Sequence, residues 1–188
     1  MSPFGVPPLT VGAILLNPSA DPQGSVSVAM LRALRDHRGW AAVPVVNLVN
    51  TPSRDSRELS QLAGDSRVWE AARGPLEQAI RDCDELLLGW GVSPLAGAAR
   101  PHQRAQVRWV LNHARAHGHT RAWMLAGAPR HPSRWRQFVG PQRGLIVGGS
   151  TIDRIDQLLT YTRLNHAEPG IGTSLVRPIM LAGSNPGE

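Results

Sequence analysis

The chain contains no lysine; all 20 of its basic residues are arginine. No side-chain amine is therefore available for Schiff-base chemistry. It has one cysteine, Cys83, which excludes an intrachain disulfide framework, a Cys-rich zinc site and an all-Cys iron–sulfur cluster. Cys83 stands in Arg81-Asp82-Cys83-Asp84-Glu85, where neighbouring carboxylates raise a thiol pKa, so it reads as structural. No apolar run approaches the roughly 20 residues needed to span a bilayer. Met1 to Thr10 is Pro-rich, without a basic region or an apolar stretch, and does not read as a secretory signal. The expected location is the cytoplasm.

With 188 residues the chain suits one domain, expected to span 1–188. Hydrophobic residues make up 41% and charged residues 18%, the balance of a globular protein rather than a disordered one. Gly (19) and Pro (16) are both abundant and predict many turns. The formal net charge of +6 rests on planar guanidinium groups, which suit phosphate and raise the odds of a polyanionic partner. A GC-rich genome would give the same arginine bias without any such partner.

Four short apolar runs, Val11–Leu16, Val43–Val49, Glu85–Trp90 and Thr120–Leu125, read as strands, and a fifth short one is possible at Leu145–Val147. Helical spacing appears at Ser25–Arg38 with Gly39 as its stop, Ser53–Ala63, Arg67–Asp82, Gln103–His117 and Thr151–Leu164. The tail from about Glu168 to Glu188 reads as irregular. This alternation predicts an α/β fold: three α/β/α layers around a central, mostly parallel four-stranded sheet. Ligands of such sheets bind at the carboxyl ends of the strands. The segments that matter most are therefore Asn17-Pro18-Ser19, Asn47 to Ser53, Gly89 to Ser93 and Ala126 to Ser133.

Asn17, Asn47 and His131 are the polar residues that strand ends would bring together. Asn47 lies inside an apolar run, where a four-bond side chain needs partners, although a local capping bond would also explain it. His102, His113, His117 and His119 read as surface. His113 and His117 have the i, i+4 spacing of a metal pair, but no nearby glutamate or other third ligand is evident. No metal, no metal cluster and no cofactor is expected.

A strand ending in Asn-Pro-Ser, a strand VPVVNLVN, a strand ELLLGWG and a strand leading to His-Pro-Ser follow one another in order. In this the chain resembles the uracil-DNA glycosylase superfamily, as a divergent bacterial LNPS…VVN…HPS branch, over about Gly12 to Gly140. The resemblance implies that Asn17 positions the attacking water, that Asn47 reads the edge of a flipped base, and that His131 stabilises the departing base anion. Pro18 and Ser19 would lie beside the base. Trp135 occupies the place of an apolar wedge inserted into the base stack, unless it anchors the loop to the core. Arg130, Ser133, Arg134 and Arg136 would contact DNA around it. Asn17 stands where a carboxylate is common, so the reaction is expected to be slower, with Asp21 as a secondary carboxylate.

The implied activity is a monofunctional DNA glycosylase that flips its base from a duplex, leaves an abasic site and acts as a monomer away from membranes. Ser19 replaces the bulky Tyr that excludes 5-substituents in strict uracil enzymes. This favours a mismatched thymine or a modified cytosine, and glucosylated or hydroxymethylated phage DNA would make the protein an antiphage enzyme. Two alternatives stay open. One is a non-catalytic nucleic-acid-binding module on the same fold. The other is a nucleotide-binding α/β enzyme with Gly148-Gly149-Ser150-Thr151 as its phosphate cradle.

Overall fold

The five residues of β1 (Val11–Leu15) are all buried. A strand covered on both faces has no polar side to show, which is why VGAIL lacks alternation. The computed structural model describes residues 7–21, 24–146 and 148–164. The N-terminal residues 1–6 and the tail expected at Glu168–Glu188 lie outside them.

After β1 the chain forms α1 (Val26–Arg38). The Ser25 hydroxyl caps its start by accepting from Val28 N, and Gly39 ends it at φ 66°, a left-handed conformation that glycine adopts without steric cost. β2 (Val45–Asn47) follows, then α2 (Ser56–Leu62), α3 (Ser66–Glu70) and α4 (Arg73–Asp82). The single helix expected over Arg67–Asp82 is thus divided at Ala71-Ala72. Pro75 sits in the first turn of α4, where its missing N–H costs nothing; continued from α3, it would have interrupted the helix. β3 (Glu85–Gly89), α5 (Ala99–Ala116) and β4 (Arg121–Leu125) complete the alternation, and α6 (Trp135–Phe138) follows a 3-10 turn at Pro132–Arg134.

The sheet order is β2-β1-β3-β4-β5, with five strands rather than the expected four. The first three pairings are parallel and the last is antiparallel. The fifth strand is not at Leu145–Val147: Leu145 and Ile146 form a bend, and Val147 lies outside the described residues. It is β5 (Leu159–Arg163), which follows α7 (Thr151–Leu158) without a connecting loop. The expected helix over Thr151–Leu164 therefore stops halfway. Thr160, Tyr161 and Thr162 favour a pleated surface, and the open edge of β4 satisfies their backbone groups. Tyr161 packs at a tilt against Trp123 across the pair, 4.9 Å between ring centroids.

Alternate strand residues feed two cores. Ile14, Leu86, Leu88 and Met124 pack with α2 to α5, while Ala13, Leu15, Leu87 and Leu125 pack with α1, α6 and α7. The result is a three-layer α/β/α arrangement. The chain leaves β1 for β2 on one side and returns to β3 on the other. The carboxyl ends of β1 and β3 are therefore the reversal point where such sheets open a crevice.

Candidate functional site

A cleft of about 970 Å³ opens above these strand ends. Its walls come from the exits of β1 and β2, the loop after β3, the first turn of α1, and the segment from Arg130 to Phe138. The loops after β3 and β4 are tied together by Gly91 N donating to Pro129 O at 2.6 Å. Asn17, Pro18, Ser19, Asn47, Arg130 and His131 all line the cleft, as do Ser133 and Arg134.

Asn17 is held in one orientation. Its Nδ2 donates to Pro18 O at 2.8 Å and to Ser53 Oγ at 3.1 Å. A prolyl carbonyl can only accept, and the Ser53 hydroxyl is already donating to Asp55 O, so the atom between them must be the amide nitrogen. The side-chain oxygen of Asn17 is left as an acceptor. Ser19 lies opposite Ser53 in an isolated parallel bridge that extends the strand pairing to the cleft floor.

Asn47 ends β2, and its Oδ1 is buried without a hydrogen-bond partner. The local capping bond that would have explained it structurally is not made. An orphaned buried acceptor costs about 1–3 kcal/mol, which a bound donor would recover.

His131 sits where the β4 loop meets α1. Its Nδ1 lies 2.9 Å from Ser133 Oγ and 3.5 Å from Ser27 Oγ. Burial holds its pKa below the ordinary histidine value, and the Arg134 charge pushes the same way. The ring is therefore neutral at physiological pH, with Nε2 unpartnered among the described residues. Below it, Pro132 packs on Gly89; a Cβ there would fall 3.1 Å from Pro132 Cδ and 2.8 Å from Leu15 Cδ2. Only glycine allows this approach, so the end of β3 sets the height of the histidine.

Trp135 is not a wedge. It is fully buried, and its indole donates to Arg130 O at 2.7 Å, so it anchors the loop from beneath. Arg136 is exposed and outside the cleft lining. Asp21 is also outside it; the carboxylate accepts from Gly24 N at 3.0 Å, closing its own turn. Asp55, the sole carboxylate among the described lining residues, is committed to capping α2 through Arg57 N and Glu58 N.

Two cations escape a reading of the sequence. Arg54 and Arg143 line the cleft with Arg130 and Arg134, and none of the four forms an ion pair with a described residue. Arg130 and Arg143 share Phe138, at 3.9 and 6.0 Å from the ring centroid. Burial and the Arg143 charge both lower the Arg130 pKa. The first turn of α1 adds a helix N-terminus with no acidic residue. Among the described lining residues the cleft sets four arginines against one carboxylate, with two amides and an imidazole on its floor.

The Gly148-Gly149-Ser150-Thr151 segment is not a vacant phosphate cradle. Asp153 fills the start of α7, accepting from Ser150 N at 2.7 Å while Ser150 Oγ accepts from Asp153 N.

A model of the family described as "Protein of unknown function (DUF1643)" matches residues 7–133, about two thirds of the chain. The chain belongs to the DUF1643 family. The match takes in β1 to β4 and ends at Ser133, so Asn17, Asn47 and His131 are all inside it, while α6, α7 and β5 lie beyond. No curated protein and no solved structure matches the chain.

Proposed function

We propose that this DUF1643 protein is a monofunctional DNA glycosylase that hydrolyses the N-glycosidic bond of a flipped, 5-substituted or otherwise modified pyrimidine. The observation that carries the reading is the convergence of Asn17, Asn47 and His131 from three strand ends on one cationic cleft. Cleavage of the bond develops positive charge on the sugar and negative charge on the base. An acceptor is needed on one side and donors on the other. The fixed Asn17 oxygen suits the sugar side, the neutral His131 suits hydrogen-bond donation from Nε2 to the departing base, and the unpaired Asn47 amide suits a base edge. The four arginines, none in an ion pair with a described residue, suit phosphates flanking the flipped nucleotide. The small Ser19 leaves room beside C5. Without lysine, the product is an abasic site and not a cut strand. A DNA substrate puts the monomer in the cytoplasm, and phage-modified cytosine would give it an antiphage role.

One observation favours a second reading, a module that binds nucleic acid without cleaving it: among the described residues the cleft offers no carboxylate free to activate water. A single experiment separates the two. The protein is incubated with oligonucleotides carrying uracil, mismatched thymine, and plain, hydroxymethyl and glucosylated cytosine, and released bases are read by mass spectrometry. Release of one base, lost in Asn17→Ala and His131→Ala, is expected. Tight binding across the panel with no release identifies the module, and binding of none of them refutes both.

A further inference from the structure

On the far side of the sheet from α1, α4 and α5 bring together three side chains that the cleft does not use. His113 and His117 stand one turn apart on α5, and Glu77 faces them from α4. One ligand atom from each lies within 4.8 Å of the other two. His113 Nε2 is 3.5 Å from Glu77 Oε1, close to the separation of about 3.3 Å between two ligands of a tetrahedral zinc ion. That nitrogen is buried without a hydrogen-bond partner. Trp109 fixes the ring by stacking on it, with centroids 4.5 Å apart and planes 18° from parallel. The His117 ring is 5.2 Å from that of His113. Glu77 is 46% exposed, so the group is reachable from solvent.

We propose that Glu77, His113 and His117 form a zinc site that clamps α4 to α5. Two imidazoles and one carboxylate are a borderline donor set that matches zinc among divalent ions. A buried imidazole nitrogen with no proton partner gains a lone-pair acceptor when the ion binds. Trp109 already supplies the ring orientation that a metal ligand needs. Three protein ligands leave the fourth position to water, and the exposed side of the cluster has room for it. Because the two helices come from different stretches of chain, the ion would link residues 36 positions apart and stabilise only the folded state.

The test is titration of the metal-free, full-length protein with Zn²⁺ by calorimetry and with Co²⁺ by visible absorption. One ion per chain is expected, with the intense bands of four-coordinate Co²⁺ and a higher Tm in Zn²⁺. A bare i, i+4 histidine pair would also take up metal, so the deciding variant is E77Q. It should weaken binding at least tenfold, and H113A more, while circular dichroism shows both folded. Unchanged affinity in E77Q or in H113A, or no stoichiometric ion in the wild type, overturns the proposal.

Discussion

Replacing Asn47 with leucine should make the protein more stable and functionless. The two side chains have nearly the same shape, but the amide oxygen of Asn47 is buried with no partner. Removing an unsatisfied buried acceptor is worth about 1–3 kcal/mol, and part of that is offset by imperfect fit of the branched tip. A net gain of about 1–2 kcal/mol is expected, which for a chain of this length raises Tm by roughly 2–8 °C. Asn47→Asp works in the opposite direction, since it puts a charge where no donor meets it. The predicted order of stability is therefore Leu, then Asn, then Asp. Urea unfolding measures it, with an unchanged m-value as the control that the unfolded states are comparable. DNA binding and base release should both be lost in Asn47→Leu. If that variant is instead less stable by about 1 kcal/mol or more and still releases base, Asn47 is a structural residue and the reasoning fails.

Gly89→Ala should cost about 1–3 kcal/mol and impair function, because the new methyl would press on Pro132 and displace His131. Gly74→Ala in the first turn of α4 meets nothing within 4 Å and should gain up to about 1 kcal/mol, so equal losses in both would refute the packing argument. Trp135→Ala should destabilise by about 3–5 kcal/mol in the same unfolding assay; a surface wedge would show almost no loss. His131 has its folded-state pKa held below the unfolded value near 6.5, so the unfolded chain binds more protons between those two values. Its contribution is complete above pH 6.5 and is lost as pH falls towards the folded pKa. Wild type should therefore lose more stability than His131→Asn between pH 7 and pH 5, and parallel pH profiles would count against a desolvated ring.

Much of this protein follows from local pattern. β1 and β3 announce themselves as apolar runs because strands buried on both faces exclude polar residues. Ser25 and Gly39 mark the ends of α1 because caps are local hydrogen bonds and local dihedrals. Asn17, Asn47 and His131 stand at strand ends, and a parallel sheet puts all strand ends on one side, so their meeting was legible before any coordinates. Cys83 is buried, and both burial and Asp82 with Asp84 raise its pKa, as its neighbours in sequence indicated. What tertiary structure alone decided depends on distant partners. Leu159–Arg163 is a strand because β4 has an open edge, not because its own pattern outweighs the helix before it. Trp135 is turned inwards, where the Arg130 carbonyl accepts its indole N–H and the core shared with Leu15 and Leu87 buries the ring. Arg54 reaches the cleft from the segment between β2 and α2, and Arg143 from the 3-10 turn after α6. Glu77 meets His113 only because α4 and α5 cover the same face of the sheet, and no spacing along the chain records that contact.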